Sequence, residues 1–136
     1  MNKKTLSHGR VLYVDDNVQM LHVLKMGLTH HGFEVITAFD GADAAYQFLA
    51  HEGDFDCILT DHHLPDGTGS ELSALLREGG YRGPIIVLSG LATEKDLVLY
   101  EKCKIAGFFQ KPFELQSLVT LLLKETSEQR SQACSP

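Results

Sequence analysis

The sequence predicts an α/β fold with a parallel β-sheet, and two features of the chain lead to that prediction. Short apolar runs alternate with segments of helical periodicity, which is the pattern of βαβ units. Acidic and other polar side chains also collect directly after the apolar runs. Open α/β sheets bind their ligands beyond the carboxyl ends of the strands. The pattern therefore also predicts the edge of the sheet at which a functional site should lie.

Four apolar runs read as strands that are followed by polar or charged side chains. In chain order they are Arg10–Val14 before Asp15 and Asp16, Cys57–Thr60 before Asp61, Ile85–Leu88 before Ser89, and Gly107–Gln110 before Lys111 and Pro112. A fifth strand is predicted over Glu34–Ala38.

Five helices are predicted between and after these strands. Apolar stripes mark the first, second and last helices and consist of Leu21, Leu24 and Leu28, of Ala42, Ala45, Phe48 and Leu49, and of Leu115, Leu118, Leu121 and Leu122. Gly32 supplies the stop of the first helix. The third helix covers Glu71–Glu78, and the fourth opens with a capping box of Thr93 and Asp96 and runs to about Lys104.

Length and charge narrow the classes of function. The 136 residues suit a single domain, and a net charge of -6 should make this segment repel a nucleic-acid backbone, so no direct nucleic-acid contact is expected. No stretch approaches the roughly 18 apolar residues of a membrane span, and residues 1–9 lack the apolar core of a signal peptide. We therefore expect a cytoplasmic protein without membrane contact.

The acids at the strand ends predict a metal site. Asp15, Asp16 and Asp61 would meet in one cleft, where three carboxylates repel one another unless they take up protons or share a divalent cation. Mg²⁺ suits them best, because it is a hard ion that prefers oxygen ligands and is commonly held by one or two carboxylates with waters and a phosphate.

Taken together, these motifs resemble the receiver domain of two-component response regulators, of the kind found in chemotaxis regulators. The resemblance covers roughly Arg10 to Lys124 and rests on the acid pair Asp15-Asp16, on Asp61 with Leu64-Pro65 and Gly69 behind it, on Ser89-Gly90, and on Lys111-Pro112-Phe113. It implies a doubly wound, five-stranded parallel sheet in the order 2-1-3-4-5, a flavodoxin-like three-layer sandwich with helices on both faces. It also implies a receiver domain over residues 8–126, with residues 127–136 as a polar tail or the start of a linker.

The resemblance assigns a role to each site residue. Asp61 would be the phosphoacceptor that attacks a phosphohistidine. Asp16 and Asp61 would bind Mg²⁺, Asp15 would act directly or through a water, and the backbone carbonyl of His63 would complete the protein ligands. Lys111 would offset the phosphoryl charge.

Two further residues would act on the phosphoryl group or respond to it. Ser89 would donate its hydroxyl to a phosphoryl oxygen, and Phe108 would turn inward as the aromatic switch, without the hydroxyl that a tyrosine would bring.

The resemblance also implies that the chain is no enzyme beyond catalysing its own phosphorylation and dephosphorylation. Its partners would be a sensor histidine kinase or phosphotransfer protein and an output domain or downstream protein. The resemblance leaves open a homodimer and a place as the receiver module of a hybrid kinase or as a phosphorelay intermediate.

Some positions depart from the family pattern. Lys104 stands where the family usually has a glycine, and a left-handed conformation there would cost about 1 kcal/mol. His63 and Leu91 lie two residues past Asp61 and Ser89, where side chains flank the phosphoryl group. The lifetime of the acyl phosphate therefore cannot be carried over from other members.

Other interpretations of single motifs remain at this point. Asp16 or Asn17 could cap the first helix in any α/β protein, and Lys111 before a proline could form a plain surface turn. His62-His63 looks like a zinc pair, but neighbouring side chains of an extended segment point to opposite sides.

Two rival functions come from other classes of protein. Flavin-binding flavodoxins share the strand order but cradle phosphate in a hydroxyl-rich loop, whereas the loop here is acidic. Asp66-Gly67-Thr68 suggests a phosphatase of the haloacid dehalogenase type, but that class needs an aspartate at the position of Leu64.

Overall fold

The computed structural model describes residues 8–90 and 93–133, and it contains seven strands and five helices in that part of the chain. In chain order the elements are β1 (Gly9–Val14), α1 (Val18–His30), β2 (Phe33–Ala38), α2 (Gly41–Ala50), β3 (Cys57–Asp61), β4 (His63–Leu64), β5 (Gly67–Thr68), α3 (Gly69–Glu78), β6 (Ile85–Ser89), α4 (Glu94–Lys102), β7 (Gly107–Gln110) and α5 (Leu115–Ala133). The strand and helix alternation predicted from the sequence is confirmed.

The central sheet has five parallel strands in the order β2-β1-β3-β6-β7. Strands β4 and β5 form a separate two-stranded antiparallel hairpin, so the five central strands have the order 2-1-3-4-5 that the resemblance implied. In the register of the sheet, Val14 lies opposite Thr60, and Asp61 lies opposite Leu88. The polar residues that follow these positions are thereby brought to one edge.

Alternate residues of the central strands feed two apolar cores on the two faces of the sheet. Val11 and Tyr13 of β1 belong to the core under α1 and α5, whereas Leu12 and Val14 belong to the core under α2 and α3. Helices cover both faces because a parallel strand has side chains to bury on each side. The ends of the strands therefore lie between two layers of helices.

Side-chain caps start four of the helices. The capping residues are Asn17 for α1, Asp40 for α2, Thr68 for α3 and Thr93 for α4. Of the two capping candidates for α1, the structure selects Asn17, whose side chain accepts from the Met20 N–H at 3.1 Å. The predicted capping box of Thr93 and Asp96 is confirmed, and α3 has a second one.

The predicted apolar stripe of α2 is wrong in part. Ala44 and Phe48 are buried, whereas Leu49 is 75% exposed and Ala42 is exposed. Several small alanines lie around this helix, so the sequence did not single out one face. Packing against β1 and β2 selects the face that carries Ala44 and Phe48.

Two helix ends also differ from the sequence-based boundaries. Helix α4 ends at Lys102, and Lys104 has a φ of 56°, which confirms the left-handed conformation suspected at that position. Helix α5 continues to Ala133, so the first residues of the segment 127–136 are helical. A helix gains one hydrogen bond per added residue once it is nucleated, and polar composition alone does not stop it. The domain boundary at residue 126 stays a prediction, and residues 134–136 lie outside the described residues.

The described helices include none that is both long enough and apolar enough to cross a membrane.

Candidate functional site

Three carboxylates meet at the carboxyl edge of the sheet, as the sequence predicted. Asp15 and Asp16 follow β1, Asp61 ends β3, and one oxygen from each lies within 4.8 Å of the others. Asp15 is fully buried, Asp61 retains 9% exposure and Asp16 is exposed. Three hard oxygen ligands at this spacing fit a divalent cation such as Mg²⁺. The cluster opens to solvent on the side of Asp16.

The side chain of Lys111 reaches the same cluster from the other side. Its Nζ lies 3.3 Å from Asp61 Oδ2 and 3.7 Å from Asp15 Oδ2. The backbone N–H of Lys111 donates to the carbonyl of Ser89 at 2.7 Å, which fixes the start of the loop after β7 against the end of β6. The interpretation of Lys111 as a plain surface turn is therefore wrong.

Both oxygens of Asp15 accept hydrogen bonds from neighbours in sequence. The Tyr13 hydroxyl donates to Oδ2 at 2.7 Å, and the Asn17 N–H donates to Oδ1 at 3.0 Å. Tyr13 was not singled out from the sequence, although its position two residues before Asp15 places both side chains on the same face of the strand. Burial and the charge of Asp15 raise the pKa of Tyr13 far above its ordinary value, so the phenol remains a donor.

Asp61 has different neighbours on its two oxygens. The backbone N–H of His62 donates to Oδ1 at 2.9 Å, and Oδ2 faces Lys111. Burial raises the pKa of Asp61 above its ordinary value; the Lys111 ammonium opposes that shift, and the charge of Asp15 adds to it. The net direction shows that the site disfavours negative charge on Asp61 when no cation is added to it.

The two adjacent histidines differ in burial, but their ring centroids lie 4.7 Å apart at an interplanar angle of 67°, so the expectation that they point to opposite sides is wrong. His62 is 2% exposed, whereas His63 is exposed and begins the β4–β5 hairpin. Both ring nitrogens of His62 face other partners, Tyr100 and Asp96, which removes the basis for a zinc pair. The metal-binding role of the His63 carbonyl stays a prediction.

The remaining sequence-predicted residues lie on β6 and β7. Ser89 is fully buried at the end of β6, and Phe108 of β7 is half-buried opposite Val87. The ring of Phe108 meets the ring of Tyr100 edge to face, with centroids 6.0 Å apart. The switch roles of Ser89 and Phe108 stay predictions, and Leu91 lies outside the described residues.

The Asp66-Gly67-Thr68 segment has structural tasks in this fold. The carboxylate of Asp66 accepts from the N–H groups of Gly41 and Ala42 at 2.8 and 2.9 Å, and Thr68 caps α3. These contacts account for the motif without a phosphatase site.

Comparison with known proteins shows which sequences and folds this chain is similar to. The sequence profile of the family described as "Response regulator receiver domain" matches residues 11–123. The transcriptional regulatory protein PrrA of Mycobacterium leprae is 37% identical over 114 residues, which cover 84% of this chain and 48% of the relative. The transcriptional regulatory protein KdpE of Mycobacterium tuberculosis is 34% identical over 112 residues, or 82% of this chain and 48% of the relative. The chain thus spans about half the length of the curated relatives it matches.

Solved structures show the same fold. A CheY-like receiver domain from Methanospirillum hungatei superposes with a TM-score of 0.84 at 24% identity, over 90% of this chain and 97% of the other. CheY in a complex with CheX, BeF₃ and Mg²⁺ from Borrelia burgdorferi has a TM-score of 0.80 at 25% identity, over 91% of this chain and 93% of the other.

Proposed function

The chain belongs to the family of response regulator receiver domains, and from that premise we propose that it accepts a phosphoryl group on Asp61. The donor is a phosphohistidine of a sensor histidine kinase or of a phosphotransfer protein. The observation that carries the proposal is the position of Asp61 between the Lys111 ammonium and two further carboxylates at the carboxyl edge of the sheet.

The chemistry follows from the neighbours of Asp61. A carboxylate oxygen of Asp61 attacks the phosphorus, an O–P bond forms, and the N–P bond of the donor breaks with its electron pair returning to the imidazole nitrogen. Attack needs the ionised carboxylate, and Lys111 favours that form and also faces the incoming phosphoryl oxygens. Ser89, at the end of the next strand, donates its hydroxyl to one of those oxygens.

Asp15, Asp16 and Asp61 hold Mg²⁺ in this proposal, together with the His63 carbonyl. When bound, the ion supplies positive charge that offsets the repulsion between the carboxylates and the phosphoryl group. Tyr13 and Asn17 keep the Asp15 carboxylate in one orientation toward that position.

Phosphorylation is read out through Ser89 and Phe108 in this proposal. Ser89 moves toward the phosphoryl group and Phe108 turns inward, which changes the face formed by α4, β7 and α5. The partner on that face is an output domain, a downstream protein or a second copy of the chain.

The receiver module of a hybrid kinase or phosphorelay is the alternative setting for the same chemistry. We retain a cytoplasmic location, without direct nucleic-acid contact by this segment, as part of the proposal.

The deciding experiment is incubation with Mg²⁺ and a small phosphodonor, followed by intact-mass measurement. The wild type should gain one acid-stable, base-labile phosphoryl group, and Asp61→Asn should gain none while keeping its circular dichroism spectrum. Asp66→Asn is the matched control, because Asp66 is a nearby carboxylate engaged with α2. Uptake by Asp61→Asn at the wild-type rate would refute the assignment.

The metal part has its own test. Asp16→Ala should weaken Mg²⁺ binding in a titration by at least about tenfold, since an exposed direct ligand is lost. An unchanged affinity would show that the ion, if bound, lies elsewhere.

A further inference from the structure

A polar cluster around a buried histidine connects the phosphoacceptor loop to helix α4. The ring of His62, whose side chain is 3% exposed, lies between two groups of that helix. Its Nδ1 lies 2.5 Å from the Tyr100 hydroxyl, and its Nε2 lies 3.3 Å from Asp96 Oδ2. We define His62, Asp96 and Tyr100 as the α4 clasp. None of these contacts belongs to the site described above.

The Asp96 end of the clasp is the N-terminal cap of α4. Asp96 Oδ2 accepts from the N–H of Thr93 at 3.0 Å and from its hydroxyl at 2.9 Å. These two bonds, with a smaller contribution from His62, hold the pKa of Asp96 below its ordinary value. An ionised carboxylate only accepts hydrogen bonds, so Asp96 favours a form of His62 that carries a hydrogen on Nε2.

The other end of His62 contacts the phosphoacceptor itself. Its backbone N–H donates to Asp61 Oδ1 at 2.9 Å, and its carbonyl accepts from the Gly69 N–H at 2.7 Å. A Cβ at Gly69 would lie 2.6 Å from both the Asp61 carbonyl oxygen and the Tyr100 hydroxyl. The glycine therefore leaves the room that Tyr100 uses to reach His62.

On this geometry, and resting on the proposed function, we propose that His62 is a positioning residue that couples the Asp61 carboxylate to the N-terminus of α4. The coupling runs from the Asp61 carboxylate through the His62 N–H and ring to Asp96 and Tyr100. Tyr100 also packs edge to face on Phe108. The clasp thus links the reacting carboxylate with both α4 and β7.

The physical basis is that the ring of His62 cannot shift alone. Both ring nitrogens lie in the interior, and breaking either contact would leave a buried polar group without its partner. When Asp61 Oδ1 changes its charge or position on phosphorylation, the His62 amide has to adjust, and α4 has to adjust with it. If phosphorylation changes the affinity of α4 for a partner by some factor, binding of that partner changes the affinity of the site for a phosphoryl group by the same factor.

The test uses Mg²⁺ with beryllofluoride as the phosphoryl mimic and measures hydrogen exchange of the α4 amides, 94–102, before and after loading. In the wild type, loading should change α4 protection by at least about fivefold. In Tyr100→Phe and Asp96→Asn the change on loading should fall below about twofold, although both variants still bind the mimic. His62→Leu should lose the change, and His62→Gln should keep part of it because its amide nitrogen reaches Asp96.

Matched controls separate coupling from simple loss of stability. Tyr46→Phe alters a tyrosine that is 67% exposed, and Asp43→Asn alters an aspartate in the first turn of α2 that accepts from the Phe39 N–H. Both should respond to loading as the wild type does. The comparison concerns the change on loading, so a weaker cap that only lowers the basal protection of α4 does not imitate the result.

Failure of the inference and failure of the proposed function give different results. If the wild type does not bind beryllofluoride with Mg²⁺, the proposed function is wrong and the coupling falls with it. If the wild type loads and Tyr100→Phe and Asp96→Asn keep the full α4 response, the clasp does not couple the two sites. Should His62→Leu fail to fold, the two conservative variants decide the matter.

Discussion

Lys111 Nζ lies 3.3 Å from Asp61 Oδ2 and places one ammonium group against the proposed phosphoacceptor. The same nitrogen is 3.7 Å from Asp15 Oδ2, so a single cation serves two carboxylates that are almost removed from water. The pKa of Asp61 nevertheless stays above its ordinary value, because burial outweighs the ammonium. The negative charge of the site is therefore not fully offset by Lys111, and added cations should stabilise the folded protein.

The first prediction concerns Lys111→Met, which keeps the length of the side chain and removes its charge. The rate of phosphorylation of Asp61 by a small donor should fall by about 10²-fold, since a charge aimed at the developing negative charge is lost. The rate is followed by intact mass or by radiolabelled donor at saturating Mg²⁺. Lys111→Arg retains the charge and should lose less; equal rates for Lys111→Met and the wild type would contradict the role.

The second prediction concerns stability and pH in the absence of divalent ions. Because the folded pKa of Asp61 is raised, its ionisation destabilises the fold once the pH passes the ordinary carboxyl range, and the penalty is complete above the folded pKa. Asp61→Asn removes the penalty and should raise the free energy of unfolding by about 1 kcal/mol near neutral pH.

Urea denaturation at two pH values checks this sign. The gain from Asp61→Asn should be smaller at about pH 4.5 than at about pH 7.5, because the wild-type carboxyl takes up its proton as the pH falls. A gain that is larger at the lower pH would show that the pKa of Asp61 is lowered rather than raised.

The third prediction concerns Arg77, which ties α3 to two loops. Its guanidinium donates to the carbonyls of Tyr81, Gly83, Cys103 and Lys104 at 2.7 to 3.2 Å. Arg77→Met keeps much of the stem and removes these bonds, so unfolding free energy should fall by about 2 kcal/mol. Arg82→Met is the control on the neighbouring exposed arginine, and an equal loss in both variants would contradict the assignment.

The fourth prediction concerns the left-handed Lys104, with φ of 56°. Lys104→Gly should raise the free energy of unfolding by about 0.5 to 1 kcal/mol, because relief of backbone strain exceeds the added freedom of the unfolded chain. The same substitution at Lys102, the last residue of α4, relieves no left-handed conformation and should not raise it. Thermal melts of the two variants are compared; a loss in both would show that Lys104 is not strained.

The elements of the fold were predictable because their signals are local. Apolar runs marked all five central strands, and the Thr93 and Asp96 pair marked the start of α4. The buried face of α2 was less predictable, since its alanines fit several orientations and only the sheet beneath the helix chooses one. The extension of α5 to Ala133 was hidden for a related reason: polar composition does not show where a helix stops.

The candidate site likewise contains residues that the sequence predicted and residues that it did not. Asp15, Asp16, Asp61 and Lys111 were found from the sequence because each follows a strand, and parallel strands bring their ends to one edge. Tyr13 and His62 were not found. A tyrosine in a core strand and a histidine beside an aspartate have many ordinary uses, and their partners become known only when the chain is folded.

The sequence by itself determined the alternation of strands and helices and the set of charged residues at the strand ends, since both depend on spacing along the chain. Tertiary structure alone decided the contacts between residues far apart in sequence. His62 meets Tyr100, which follows it by 38 positions, only because α4 packs beside the loop after β3. Such a contact depends on how two elements pack in three dimensions, which no periodicity of the sequence records.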